Sequence, residues 1–145
     1  KRYVPDLLKD KGQVLISKYF YIPIIVSAFI LFAIGGWTMV VWGVAARVVF
    51  GWHTTWFVNS LSHIYGKRPH DTGDLSANNW FVAILTFGEG WHNNHHMWPT
   101  SARHGTAWYQ FDMNWIAIRI FEHLGWAKNI KLAAETPPIE LKQAA

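Results

Sequence analysis

The chain has 145 residues, of which 51% are apolar and 17% aromatic, with ten tryptophans and a net charge of +4. Only 15% are charged, against about 25% in soluble domains, and the positive side chains form no continuous stripe, so no nucleic acid is expected as a partner. Cysteine is absent, which excludes a disulfide framework and a thiolate metal site and leaves histidine or oxygen to hold any metal.

The first residue is Lys1 rather than a methionine, which implies that processing or truncation removed what came before it. Residues 1–18 are mixed apolar and basic, with Lys1, Arg2, Lys9, Lys11 and Lys18, and read as an interfacial or cytosolic segment whose helix breaks at Gly12. From Tyr19 to Ala46 run 28 residues without a charge. As one helix they would be about 42 Å long, against a hydrocarbon core of about 30 Å. Two readings follow: a single tilted span, or a hairpin whose first arm ends near Ile34, turns at Gly35-Gly36 and returns from Trp37 towards Val58. The uncharged connector and basic outer flanks favour the hairpin, with both ends on the cytosolic side. Arg47 then has to snorkel or find a partner.

Residues 65–79 are rich in Gly, Pro, Asp and Asn and read as loop. Trp80–Trp98 is expected to be largely helical and stopped by Pro99, and Trp108–Leu124 has helical periodicity. The organisation expected is therefore 1–18, a membrane hairpin with a cytosolic extension over 19–62, a cytosolic cap over 63–134, and a frayed tail over 135–145.

Chemistry concentrates in Gly88-Glu89-Gly90-Trp91-His92-Asn93-Asn94-His95-His96. On a helix His92 and His96 lie about 40° apart, whereas His95 and His96 diverge by about 100°. That suits two ions side by side better than one. Upstream, Asn59 and His63 share a helix face. Imidazoles suit iron, zinc, copper or nickel, so spacing does not choose the metal. Four histidines and one asparagine do not close two metal shells, and the remaining ligands are expected from elsewhere. His53, His70, His104 and His123 have no partner at ligand spacing and read as surface or interfacial residues. Lys67, Arg68 and Arg103 are available to an anionic head group.

GEGWHNNHH resembles the third histidine box of the membrane fatty-acyl desaturases, and WFVNSLSHIYG resembles the Asn/His segment of their Δ9, acyl-CoA-type branch. The likeness covers most of residues 37–130. It implies an all-α integral membrane protein: half of a fold in which four transmembrane helices lie under a cytosolic helical cap holding two irons (Fe2+). It also implies that His63, His92, His95 and His96 are direct ligands, that Asn59 meets an iron through water, and that Thr55 and Trp56 lie near the bend of an acyl tunnel. Glu89 and Asp112, with Glu122, are the carboxylates expected to orient ligand imidazoles. The implied reaction places a cis double bond, at Δ9, in a saturated acyl chain carried on CoA, lipid or acyl-carrier protein. O2 is reduced to water with electrons from ferredoxin or cytochrome b5. The family's first two histidine boxes have no counterpart in the chain, which by itself is expected to be inactive. A diiron hydroxylase or monooxygenase and a non-catalytic, histidine-rich membrane metal-binding protein are the alternatives.

Overall fold

The computed structural model describes residues 7–133; the expected tail from residue 135 lies outside them. Contacts divide the chain into two compact units, Lys1–Gly51 and Trp52–Ala145. Among the described residues every regular element is helical, and pairing between extended segments is limited to isolated bridges.

In the first unit a 3-10 turn, Leu7–Lys9, leads into α1, Lys11–Tyr19. The break expected at Gly12 falls instead at Asp10. Its carboxylate accepts the amides of Gly12 at 2.7 Å and Gln13 at 3.3 Å, satisfying two of the donors that a helix start leaves unpaired. Gly12 is thereby held inside the helix. Leu15 and Ile16 of α1 are exposed.

The apolar stretch forms α2, Ile22–Val40, then a π-helical segment, Val41–Ala46, then α3, Arg47–Asn59. Pro23 falls in the first turn of α2, where its missing N–H has no helical partner to lose. The helix is interrupted at Gly35 (φ −153°, ψ 27°) and Gly36 (φ 62°, ψ −154°), the second a conformation essentially restricted to glycine. Beyond the interruption the chain turns back on itself. The Phe32 and Trp37 rings meet edge to face at 5.2 Å, and a Cβ on Gly43 would lie 2.6 Å from Leu31 Cδ1, although residues 31 and 43 would be roughly 18 Å apart on one straight helix. An apolar cleft of about 360 Å3 lies along the two arms, lined by Ile25, Ala28, Phe29, Phe32, Trp37 and Val40. Within the π-helical segment the Gly43 carbonyl accepts Arg47 Nε at 3.1 Å, which gives that cation a partner inside an apolar run. Phe29, Ile34, Trp37 and Trp42 are each at least 70% exposed. By length and composition Ile22–Ile64 can cross a membrane, with a mean hydropathy of 2.3 in its most apolar window.

In the second unit α3 ends at Asn59 and is followed by the single turn α4, Leu61–Ile64. The predicted loop is ordered by backbone bonds: Lys67 pairs with Asn78 in both directions, at 3.0 and 2.7 Å, and the Ala77 amide donates to the Ser62 carbonyl at 2.7 Å. The helix expected over 80–98 is two helices, α5 (Trp80–Leu85) and α6 (His92–Met97). Between them Phe87 and Gly88 take positive φ, 59° and 127°. Gly90 then packs so closely on α5 that a Cβ would sit 2.1 Å from the Ala83 nitrogen. The last helix, α7, spans Met113–His123 and starts later than predicted, because Asp112 caps it by accepting the Trp115 amide at 2.8 Å.

The interior of this unit is unusually polar. Among the described residues its buried apolar side chains are Ala77, Val82, Ala83 and Trp91, whereas Ser62, Ser76, Asn78, His92, Asn93, Asn94, Gln110 and Asp112 are all buried. A buried polar group is tolerated only when hydrogen-bonded, and that requirement governs the candidate site.

Candidate metal centre

Helix α6 has six residues, too few to be stable alone, so its side chains must be held by what surrounds them. The two asparagines between the histidines do this. Asn93 is wholly buried. Its Oδ1 accepts the His70 amide at 2.9 Å, and its Nδ2 donates to the His70 and Ser76 carbonyls at 3.0 and 3.2 Å. Asn94 Nδ2 donates to the His104 carbonyl at 2.8 Å and to Gln110 Oε1 at 3.0 Å, while its Oδ1 accepts from Asn78 Nδ2 at 2.7 Å. Asn78 Oδ1 in turn takes the amides of Asn93 and Asn94 at 3.0 and 3.2 Å, capping the start of α6. The amides thus lock one side of α6 into the loops, leaving the other side to the histidines.

On that other side His92 Nε2 lies 3.0 Å from both His63 Nε2 and His96 Nε2. His63, His92 and His96 can each offer one nitrogen within 4.8 Å of the other two. A ring nitrogen carries either one proton or one lone pair, so His92 Nε2 cannot form two ordinary hydrogen bonds at once. The spacing is the one a shared cation would require: nitrogens about 2.1 Å from one ion and at right angles to each other are roughly 3.0 Å apart. His96 Nδ1, on the far side of its ring, donates to Asp74 Oδ2 at 2.5 Å. This is the carboxylate–histidine pairing that fixes a ligand's tautomer and orientation.

His95 stands apart, its ring 5.9 Å from His92, 5.8 Å from His96 and 4.5 Å from His104. Its Nδ1 is shut off from solvent without a hydrogen-bond partner. Burial lowers the His92 pKa to about 4, helped by the neighbouring His96, His63, His95 and His104. Burial, then His104 and His96, does the same for His95. Both imidazoles are therefore neutral near pH 7, the form in which they donate a lone pair. Desolvation alone would raise the Asp74 pKa. Hydrogen bonds from Ser76, Thr72 and His96 outweigh it and hold the carboxyl well below its ordinary range, hence ionised. Converging neutral nitrogens and an ionised carboxylate behind the His96 ring together fit a metal.

The other expected site residues are placed differently. Asn59 is exposed on α3, its Nδ2 donating to the Thr55 carbonyl at 3.4 Å. Thr55 and Trp56 are exposed on the same helix, with Trp56 stacked on Trp52 at 6.5 Å. Asp112 is buried, and its carboxylate takes the backbone amides of His104, Gly105 and Trp115 rather than an imidazole. Glu89 Oε2 lies 3.4 Å from His104 Nδ1, and Oε1 accepts Asn114 Nδ2 at 2.9 Å. Glu122 pairs with Arg119.

Sequence reasoning missed three features. Asp74 was hidden in loop punctuation, though a carboxylate in a loop facing a histidine-rich helix is a signal to look for. Asn93 and Asn94 were given no role, yet any helix bearing His92 and His96 on one face turns them to the other. His104, read as surface, has a side chain only 16% exposed, and no local pattern marks it.

The fold and site define an α-helical chain with an imidazole cluster suited to a metal ion and a long apolar segment. A family model for fatty acid desaturase matches residues 2–127, and the chain belongs to that family. It is 48% identical over 130 residues to an acyl-CoA 5-desaturase of Anemone leveillei, covering 90% of this chain and 40% of that protein. It is 47% identical over 135 residues to an sn-1 stearoyl-lipid 9-desaturase of Synechocystis, covering 93% and 42%. With a palmitoyl-monogalactosyldiacylglycerol delta-7 desaturase of Arabidopsis thaliana the identity is 45% over 132 residues, covering 91% and 36%. The chain thus spans about 40% of the length of the curated relatives it matches.

Proposed function

We propose that this chain supplies the third-box ligands and part of the acyl-facing helices of a membrane-embedded diiron fatty-acyl desaturase. The enzyme introduces a cis double bond, at Δ9, into a saturated acyl chain carried on CoA, lipid or acyl-carrier protein. The observation that carries this reading is the convergence of His63, His92 and His96 through their Nε2 atoms, with His95 set apart from them. That is the division of ligands expected when H-x-x-H-H serves two ions.

A pair of ferrous ions, when bound, supplies with O2 the oxidising power that an unactivated methylene demands, since an aliphatic C–H offers no handle for acid–base catalysis. What remains for the protein is to bind, orient and exclude water. His63, His92 and His96 would hold one ion and His95 the other, with Asn59 meeting an iron through water and other ligands coming from outside these residues. Asp74 holds the His96 ring on its axis. The hairpin arms of the first unit would cross the bilayer with their basic flanks on the cytosolic side, and Thr55 and Trp56 would line the bend of the acyl tunnel. Electrons would come from ferredoxin or cytochrome b5.

The test is expression of the native protein, with any residues that flank this chain, in cells lacking their own desaturase. Fatty-acid methyl esters are then resolved by mass spectrometry with the double bonds located. New cis-Δ9 monoenes that vanish in His92→Ala support the reading. Hydroxylated products would replace desaturation by oxygen insertion. Unchanged lipids from a protein shown to contain two irons would overturn the reading.

A further inference from the structure

Metal-bound imidazoles ordinarily have a partner that fixes the ring's direction. His96 has one in Asp74. His95 does not: its Nδ1 is buried and unbonded. What lies against it instead is the ring of His104, with centroids 4.5 Å apart and planes tilted by 38°.

His104 is itself held at several points. Its amide donates to Asp112 Oδ2 at 2.8 Å, and its carbonyl accepts Asn94 Nδ2 at 2.8 Å. Asn94 is the residue next to His95, so box and loop are tied at the point where the two rings meet. The ring's Nδ1 lies 3.4 Å from Glu89 Oε2, and Glu89 is anchored by Asn114 on α7. The Asp112 carboxylate that fixes the His104 backbone also starts α7, so the ring and its carboxylate partner are referenced to the same helix.

We propose that His104 is a positioning residue of the metal centre, whose ring, set by Glu89, Asn94 and Asp112, packs on His95 and aims that imidazole at its ion. This rests on the reading of His95 as a ligand. The role is steric: a flat ring of the right size on a rigid backbone limits the rotation of the neighbouring imidazole. The backbone anchors at Asp112 and Asn94 hold the base of the ring, and the Glu89 contact adds a smaller restraint. A ring without nitrogens can therefore do most of the work, whereas a flexible amide cannot.

The experiment uses the native iron-loaded protein and its His95→Ala, His104→Ala, His104→Phe and His104→Gln variants. It reads iron per chain, the rate of iron release to a chelator, and the Mössbauer doublets of 57Fe. His95→Ala is expected to lose one iron, which tests the ligand reading separately; retention of both irons there would remove that reading and this proposal together. With His95→Ala behaving as expected, His104→Ala and His104→Gln should keep both irons but release one roughly ten- to a hundredfold faster, with one doublet altered. His104→Phe should stay within a few-fold of the unsubstituted protein. Unchanged release in His104→Ala overturns the proposal alone. So does outright loss of an iron in His104→Phe, since His104 would then be a ligand. Should His104→Ala fail to fold, the Phe and Gln variants decide, and equal release from these two refutes the packing role.

Discussion

Replacing Asn93 by alanine separates the scaffold of the site from its ligands. The side chain is fully buried and its hydrogen bonds go to no imidazole ring; its amide spans the His70 amide and the His70 and Ser76 carbonyls. The Thr72 and Ser76 hydroxyls it also touches keep each other, at 3.0 Å. The substitution therefore orphans at least one donor and one buried acceptor, at about 1–3 kcal/mol each, or roughly 2–6 kcal/mol in all. That is a large part of the 5–15 kcal/mol typical of a whole domain, and it falls on one loop. Hydrogen-exchange mass spectrometry of the native protein should show peptides covering residues 66–79 losing at least about 30-fold in protection, the lower bound corresponding to about 2 kcal/mol. Peptides from the hairpin, residues 22–46, should be unchanged. Iron release should accelerate as well, because Asn93 is one of the ties between α6 and that loop, alongside Asn78 and the Asp74–His96 pair. Wild-type protection over residues 66–79 in Asn93→Ala would refute the idea that side-chain amides, rather than helix propensity, hold the box.

Three further outcomes follow. His92 and His95 have folded-state pKa values of about 4, below the roughly 6.5 of an unfolded histidine. Between these values the unfolded chain takes up protons that the folded one does not, so metal-free stability must fall as pH drops from about 6.5 to 4; a flat or rising denaturation midpoint over that window would contradict the neutral assignment. Gly90→Ala places a Cβ 2.1 Å from the Ala83 nitrogen and 2.5 Å from the Asn79 carbonyl oxygen. Overpacking against backbone costs at least about 1–3 kcal/mol, so the thermal midpoint should drop and iron content with it, and unchanged values would refute the close approach. Trp56→Leu should shift the chain length of the monoenes formed, read by gas chromatography, while leaving iron per chain intact; an unchanged product profile would take Trp56 off the tunnel wall.

What could be read beforehand depended on the range of the forces involved. The Gly35-Gly36 turn was visible because backbone freedom is a local property, and the structure breaks the helix there. The pairing of His92 with His96 followed from helical rotation alone. Residues 80–98 were read as one helix because the apolar periodicity of Trp80–Leu85 runs on smoothly. The positive φ at Phe87, which nothing in that residue announces, ends it. Asp10 displaced the break expected at Gly12 because a capping carboxylate outweighs one glycine's propensity. His63 beside His92 and Asp74 beside His96 are meetings across 29 and 22 residues of chain, and His104 reaches His95 through the loop that follows α6. The first was suggested by family resemblance, the second only by a carboxylate in the loop before a histidine-rich helix, and the third by no local pattern.

The six residues of α6 cannot set the direction of their own imidazoles. The angles at which the rings leave the backbone are dictated by neighbouring loops through amide side chains, as a jig holds a workpiece. A variant can thus retain every histidine and still be unable to assemble the centre, and a census of ligands alone would misjudge it. Redesign of such a protein has to begin at Asn78, Asn93, Asn94 and Gln110, where the angular tolerances of the histidines are decided.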